Sequence, residues 1–191
     1  MQSQILFNTY LKGEHWKNRT AIYAEKFSEF LRKKEFNKLV LDIGCGNGRD
    51  VNAFQKQGFT VIGIDYSTRE ISLAKENFPQ CNFEVQNAEN LDFPNESVGA
   101  CFMINAIHYT NQKKVLNEIF RVLKVNGYAF IYFNIEIKDE NDIDYHQDEK
   151  EILDLISNFK IIEKNVFTRT DAIPKIHTHK IMELILQKNH Q

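Results

Sequence analysis

The chain has 191 residues, 42% of them hydrophobic and 26% charged, and its formal net charge at pH 7 is -2. A chain of this length can bury a core as one domain, and near-neutral charge lacks the basic surface that nucleic-acid backbones select. No apolar run approaches the roughly 18 residues of a membrane span, and the first residues show no export signal. Three separate cysteines indicate neither a disulfide framework nor a zinc knuckle, so we expect a cytoplasmic protein.

The first half of the chain alternates predicted helices and strands. Apolar side chains recur at helical spacing in residues 17–34, which predicts an amphipathic helix. Short apolar runs predict strands, and the segments between them predict helices, one of which begins after the N-cap residue Ser67. The predicted strands are residues 38–43, 60–65, 82–86 and 98–104, and the predicted helices between the first three are residues 47–58 and 67–78.

The second half continues the alternation. Residues 111–124 have a continuous helical apolar pattern that ends at Asn126-Gly127, and residues 128–133 predict a buried strand. Residues 136–154, which contain nine acids and two lysines, predict an acidic loop. A helix and two closing strands are predicted at residues 149–157, 161–167 and 179–186.

This order of elements predicts an open, doubly wound, mostly parallel α/β sheet with helices on both faces. Ligands of such sheets bind outside the carboxyl ends of the strands. The predicted site therefore lies in the loops that follow Ile43, Asp65, Gln86 and Ile104.

A glycine-rich turn, in the sequence LDIGCGNGRD, follows the first predicted strand. Its three glycines allow the backbone to come close to a flat or extended ligand. Asp65, at the end of the second strand, is placed to accept hydrogen bonds from both hydroxyls of a ribose. Arg49 replaces the third glycine of the dinucleotide-binding pattern, and Asp42 adds a negative charge that suits a cationic amino-acid group better than a pyrophosphate. The turn favours S-adenosylmethionine over NAD.

Together with later segments, this turn resembles the first motif of the class I S-adenosylmethionine-dependent methyltransferases. VIGIDYS resembles their second motif, QNAENLDF the next, and INAIHYT followed by NEIFRVLKVNGYAFIYF the segments around the fourth and fifth strands. The resemblance covers residues 39–133 and implies a Rossmann-like sheet with a reversed final strand. It implies one domain over residues 1–191, with a helical lid (1–36), a cofactor-binding core (37–135) and a part with the acidic loop, a helix and closing strands (136–191).

The resemblance also implies a set of cofactor-binding residues. Asn87 stands where the family usually has an acid, but an amide can still accept from an adenine amine and donate to the ring. Arg19 is expected at the cofactor carboxylate. The full set is Asp42, Gly44, Cys45, Gly46, Gly48, Asp65, Tyr66, Asn87, Ala88, Asn105, Ile107 and Arg19.

Methyl transfer needs a base only where the acceptor atom arrives protonated. His108, just past the fourth strand, is the candidate, because its pKa lies near neutrality. Tyr10, Trp16, Tyr23 and His146 are expected to line the acceptor site, although Trp16 and Tyr23 are equally consistent with a core-facing helix. The acidic stretch favours a neutral or cationic small molecule as the acceptor, and we expect a monomer or homodimer without nucleic-acid or membrane partners.

Three other functions stay open: a cofactor-binding subunit without chemistry, an RNA or protein methyltransferase that grips its polymer with the basic amino-terminal region, and an NAD(P)-dependent oxidoreductase. A metal site is a further alternative, since His177 and His179 point to one side of a strand. The sequence places no third ligand beside them, so we expect no metal.

Overall fold

A computed structural model describes residues 21–36, 39–139, 143–171 and 176–189, and within these ranges the strands form one sheet. The strands are β1 (Val40–Ile43), β2 (Val61–Asp65), β3 (Asn82–Val85), β4 (Val98–Met103), β5 (Leu123–Asp139), β6 (Ile143–His146), β7 (Phe159–Asp171) and β8 (His177–Lys188). The helices are α1 (Ile22–Lys33), α2 (Arg49–Lys56), α3 (Thr68–Asn77), α4 (Gln112–Val122) and α5 (Glu149–Leu155), with a 3-10 turn at Ile107–Tyr109.

The sheet has the strand order β3-β2-β1-β4-β5-β8-β7, and β6 pairs with β5 outside this path. The first five strands are parallel, whereas β8 runs antiparallel to both β5 and β7. This topology confirms the Rossmann-like sheet with a reversed strand. The helices that connect the parallel strands cover the sheet, which is why β1 and β4 are buried at every position.

Each face of the sheet carries its own core. On one face, Phe27 of α1 and Phe54 of α2 meet Phe102 of β4, whose ring lies 5.2 Å from that of Phe130. On the other face, aliphatic side chains of α4 and α5 pack on the sheet. Burying one large apolar side chain of this kind contributes about 1.5–3 kcal/mol, so the two cores fix the strand ends that carry the loops.

The helix starts follow the predicted capping chemistry. Ser67 Oγ accepts a hydrogen bond from the backbone N–H of Glu70 at 3.3 Å, as expected for the N-cap of α3. Asn111 Oδ1 accepts from the backbone N–H of Lys114 at 3.2 Å and caps α4. All three cysteines are buried and free, in agreement with the absence of a disulfide framework. Among the described residues, none of the helices combines the length and apolar character that crossing a bilayer requires.

The structure differs from the sequence-based elements around β5. Asn126 adopts a left-handed φ of 63° but does not separate helix from strand, because β5 begins at Leu123, directly after α4. The strand then continues to Asp139, into the stretch predicted as an acidic loop, and β6 follows within that stretch. The physical reason is pairing with β8, whose register runs from Tyr128 to Asp139 and supplies backbone partners regardless of side-chain charge.

Candidate functional site

The loops that follow β1, β2, β3 and β4 meet at the carboxyl edge of the sheet, as predicted, and line a cavity of about 1260 Å³. Cavities that hold one drug-sized ligand have volumes of about 300–1,000 Å³. The cavity is therefore larger than the site of one drug-sized ligand. One half is bounded by the glycine-rich turn and the ends of β2 and β3, and the other by the end of β4 and the strands β5, β7 and β8.

The glycine-rich turn is tied to the neighbouring strand through its backbone. The N–H groups of Gly44 and Cys45 both donate to the carbonyl oxygen of Ile64, at 2.8 and 2.9 Å. Gly46 has a left-handed φ of 50°, and a Cβ added there would meet no atom within 4 Å. The turn thus leaves an open cradle at Gly46, where a ligand can contact the backbone directly.

Gly48 is needed for a different reason from the one predicted. It has a φ of 83°, and a Cβ there would lie 2.5 Å from the ring of Phe83, so the glycine lets α2 pack against β3. Gly48 does not line the cavity, and neither does Ile107, which is fully buried in the core. Cys45 does line it, but burial raises the pKa of its thiol far above the ordinary value, which makes it a poor nucleophile.

Asp65 joins two of the loops. Its Oδ2 accepts from the backbone N–H of Gly46 at 3.1 Å, and its Oδ1 accepts from that of Ser67 at 2.9 Å. Burial raises the pKa of this carboxyl, and the backbone N–H groups oppose that shift. Each carboxylate oxygen has a second lone pair, so a pair of ligand hydroxyl groups can still bind.

Asp42 lies at the third position of β1 and is only 3% exposed. Among the described residues, its Oδ2 is buried without a hydrogen-bond partner. Burial raises the pKa of this carboxyl well above its usual range, and the charge of Asp50 raises it further, while Arg49 lowers it. A buried carboxylate oxygen on the cavity wall requires a donor or cation from a bound ligand to become satisfied.

The loops after β3 and β4 complete this half of the cavity. Asn87, Ala88 and the exposed ring of Tyr66 line it, as predicted. Asn105 lies beside them with a left-handed φ of 53°, which asparagine adopts more readily than most residues. These residues are brought together with Asp42, Gly44, Cys45, Gly46 and Asp65.

The other half of the cavity contains His108. Burial lowers the pKa of its imidazole to about 4. Its ring lies 4.1 Å from that of Tyr109 and 6.3 Å from that of Tyr145, between centroids. Its Nδ1 is 3.4 Å from Nδ2 of Asn134, whose Oδ1 is 3.1 Å from Nδ1 of His179. His108 is therefore a neutral ring at pH 7, held in a polar network within an aromatic wall.

The predicted acceptor-site residues have different outcomes. Tyr23 lines the cavity and also packs edge-on against Tyr132, with 5.3 Å between ring centroids. It therefore agrees both with an acceptor-site residue and with a core-facing helix residue. Tyr10, Trp16 and Arg19 lie outside the described residues.

The structure does not bring His146 to the cavity. Side chains alternate along β6, so His146 is exposed while Tyr145 turns inward, toward Gln147 and the ring of His108. Of these two neighbours in the acidic stretch, Tyr145 takes the inward position.

Several cavity residues were not predicted. Asn134 and Glu183 are buried and line the cavity. Each is a polar residue within an apolar strand, and this isolated polar position is the sequence feature that could have identified them. Glu183 forms an ion pair with Lys26 of α1, and Arg169 pairs with Asp171 at 2.8 Å. The charges on this wall are therefore paired within the protein.

Comparison with known proteins adds an independent observation. A family model described as a methyltransferase domain matches residues 41–131. An uncharacterised protein of Methanocaldococcus jannaschii is 31% identical over 165 residues, which cover 83% of this chain and 70% of that protein. A protein of Invertebrate iridescent virus 6 that is named as a methyltransferase is 35% identical over 127 residues, which cover 60% of this chain and 47% of that protein.

A solved structure shows the same fold. The SAM-dependent methyltransferase of Methanosarcina mazei matches with a TM-score of 0.69 and 23% identity, over 81% of this chain and 94% of that chain. The chain spans about half the length of several curated relatives that it matches.

Proposed function

The chain belongs to the class I S-adenosylmethionine-dependent methyltransferases, and on that premise we propose that it transfers a methyl group from this cofactor to an oxygen or nitrogen of a small-molecule acceptor. The observation that carries the proposal is one cavity, lined by described residues, whose two halves offer different chemistry. One half has hydrogen-bonding groups suited to a nucleoside and an amino acid, and the other a partly buried imidazole that is neutral at pH 7.

The residues of the first half fit the family's cofactor. The unsatisfied Oδ2 of Asp42 suits an ammonium group, the carboxylate of Asp65 suits the two ribose hydroxyls, and Asn87 suits the adenine edge. The open cradle at Gly46 lets the backbone contact the ligand. When bound there, S-adenosylmethionine supplies a methyl group that is already activated.

The second half supplies the groups that act on the acceptor. His108 is neutral at pH 7 and can take a proton from an acceptor atom that arrives protonated. The rings of Tyr109 and Tyr145 lie beside His108 and help to exclude water, and alignment in such a site can contribute several kcal/mol to the rate. The protein thus has to orient the acceptor and hold its proton.

The charges of the site favour a small acceptor over a polymer. His108 lies in the wall of the cavity, and among the described residues the cations Lys26 and Arg169 of this wall are paired with Glu183 and Asp171. A phosphate-rich polymer would need unpaired cations along its path. Relatives carry names that include a sterol and a tRNA nucleotide, so the relatives' names do not decide the acceptor class.

The acceptor class is tested by label transfer. The purified chain is incubated with S-adenosylmethionine labelled in its methyl group and, separately, with small-molecule, RNA and protein fractions. We expect label in the small-molecule fraction only, together with release of S-adenosylhomocysteine. Label in RNA or protein would contradict the acceptor class, and cofactor binding without any release in all three fractions would favour a non-catalytic subunit.

The cradle gives a prediction with a matched control. Gly46→Ala and Gly58→Ala both place a Cβ at a left-handed φ, 50° and 88°, with no atom within 4 Å. Each is expected to lose about 1–2 kcal/mol of stability, because the left-handed conformation disfavours alanine. Only Gly46→Ala is expected to weaken cofactor binding, since Gly58 lies at the far end of α2.

Calorimetric titration with S-adenosylhomocysteine measures this difference. Equal affinity in the two variants would show that the backbone at Gly46 does not approach the ligand.

A further inference from the structure

Four polar side chains form a chain of contacts from the cavity into the sheet. His108 faces Asn134 of β5, Asn134 faces His179 of β8, and Nε2 of His179 lies 3.5 Å from Oδ2 of Asp171 in β7. Asn134 and His179 are each 2% exposed. We call these four residues the polar relay. Its members beyond His108 have no part in the proposed function so far.

The relay lies where antiparallel strands bring distant residues together. His179 pairs with Ile137 of β5 and with Arg169 of β7, while Asp171 is the diagonal neighbour of His179. Asn134 pairs with Ile181, two residues from His179 in β8, so Asn134 and His179 lie on the same face of the sheet. The contacts among Asn134, His179 and Asp171 are therefore fixed by strand pairing, and His108 meets them from the 3-10 turn after β4.

The charge on the relay is balanced. Arg169 donates to Asp171 at 2.8 Å, so the carboxylate already has a cationic partner. Burial, together with the charge of Arg169, lowers the pKa of His179 to about 4, so both imidazoles are neutral at pH 7. A neutral imidazole has one nitrogen that donates and one that accepts.

The amide of Asn134 couples the two rings. It faces Nδ1 of both histidines, and a half-turn about its Cβ–Cγ bond exchanges its oxygen and nitrogen. In the structure, the amide oxygen faces His179 and the amide nitrogen faces His108. In this orientation, Nδ1 of His179 carries a proton, and the amide nitrogen donates to Nδ1 of His108. His108 then has its proton on Nε2 and cannot accept another there.

With the amide oxygen toward His108, the positions of the protons on the two imidazole rings are reversed. His108 donates from Nδ1 to the amide oxygen, the amide nitrogen donates to Nδ1 of His179, and Nε2 of His179 carries a proton. The carboxylate of Asp171 selects between the two arrangements, because it attracts an N–H at Nε2 of His179 and repels a lone pair. It therefore favours the half-turned amide over the orientation in the structure.

We propose that Asn134, His179 and Asp171 are positioning residues that keep Nε2 of His108 unprotonated and ready to take the acceptor's proton. The acceptor's O–H or N–H bond breaks, its electrons stay on the acceptor atom, and the lone pair on Nε2 forms the new N–H bond. The imidazolium formed at His108 keeps its Nδ1–H on the oxygen of Asn134. This inference rests on the proposed function, because it explains how His108 acts as its base.

A bound cation would impose the opposite order. Ligand atoms of Asp171, His177 and His179 lie within 4.8 Å of one another, so a divalent metal is the rival occupant. It would bind the lone pair on Nε2 of His179 and force the proton onto Nδ1. It would also add a double charge beside Arg169, whose guanidinium already balances the single carboxylate. Because Arg169 already balances the charge of Asp171, this cluster favours a proton on Nε2 of His179 over a metal ion.

Nitrogen-15 NMR of the histidine rings measures which ring nitrogen carries the proton, and it does not require turnover. In the metal-free protein at pH 7, we expect His108 to be protonated on Nδ1 and His179 on Nε2. Asp171→Asn is expected to mix the two orders, whereas Asp154→Asn, at an exposed aspartate of α5, leaves them unchanged. His108 protonated on Nε2, or a zinc titration that saturates at one ion per chain, would overturn the proposal.

Kinetics separate this proposal from the proposed function. Asp171→Asn and Asn134→Leu are expected to lower kcat about 10- to 100-fold without changing cofactor affinity, as outer-shell partners do. Asn134→Asp, which always presents an oxygen to His108, is expected to restore most of the rate lost in Asn134→Leu. If these variants keep full activity while His108→Gln loses it, the relay is wrong and the base stands. If the NMR order is as expected and His108→Gln is fully active, the base itself is wrong.

Discussion

Replacing Asp65 with alanine is expected to weaken binding of S-adenosylmethionine by about 100- to 10,000-fold. The estimate follows from losing two hydrogen bonds to a charged acceptor, each of which contributes about 1.5–3 kcal/mol. The carboxylate lies on the cavity wall, and its backbone contacts to Gly46 and Ser67 hold it in place for two ligand hydroxyls. Asp65→Asn keeps the shape of the side chain but removes its charge. Its affinity for S-adenosylmethionine is expected to lie between those of the alanine variant and the native chain.

Thermal unfolding with and without cofactor measures this effect. Ligand at about 100 times its Kd adds about 2.7 kcal/mol, which raises Tm by roughly 5–10 °C in a chain of this size. Asp65→Ala is expected to show no rise at that concentration, whereas Asp92→Ala, an exposed aspartate beyond the cavity, shows the full rise. Scans without ligand separate lost binding from lost stability, since Asp65 also ties two loops. A full rise in Asp65→Ala, or a rise with NAD in the native chain, would contradict the cofactor assignment.

The residues that line the first half of the cavity, between the glycine-rich turn and the ends of β2 and β3, could be placed from the sequence because they follow local rules. A strand, a glycine turn and a helix occupy consecutive positions, so Asp42 and Gly46 are placed by neighbours within a few residues. Asp65 follows from the same rule applied to the next strand. The alternation of elements predicted the mostly parallel sheet, whereas the reversed strand was implied by the resemblance to the methyltransferase family.

The second half of the cavity, around His108 and the strands β5, β7 and β8, depends on long-range pairing. Asn134 and His179 are 45 positions apart and meet only because β5 and β8 are antiparallel. The sequence showed two histidines with strand spacing and an isolated polar residue in an apolar run, but no local rule joins them. His146 failed to reach the cavity for a related reason, since a pattern of period two does not state which face is inward. The positions of side chains that depend on the register between distant strands could therefore not be predicted from the sequence.

Replacing His108 with glutamine is expected to lower kcat by about 100- to 10,000-fold, the usual contribution of a positioned general base, with cofactor affinity unchanged.

Because burial lowers the pKa of His108 to about 4, the ring remains unprotonated from neutral pH down to about pH 5. With saturating cofactor, so that protonation of Asp42 or Asp65 does not limit binding, kcat of the native chain should therefore stay level over that range. It should fall about tenfold per pH unit below about pH 4, and this acid limb should disappear in His108→Gln. His146→Gln, at the exposed histidine of β6, is the matched control and should follow the native profile. An acid limb near the ordinary histidine pKa of about 6.5 would place the titrating group outside the buried site. Full activity in His108→Gln would mean that the acceptor arrives already deprotonated.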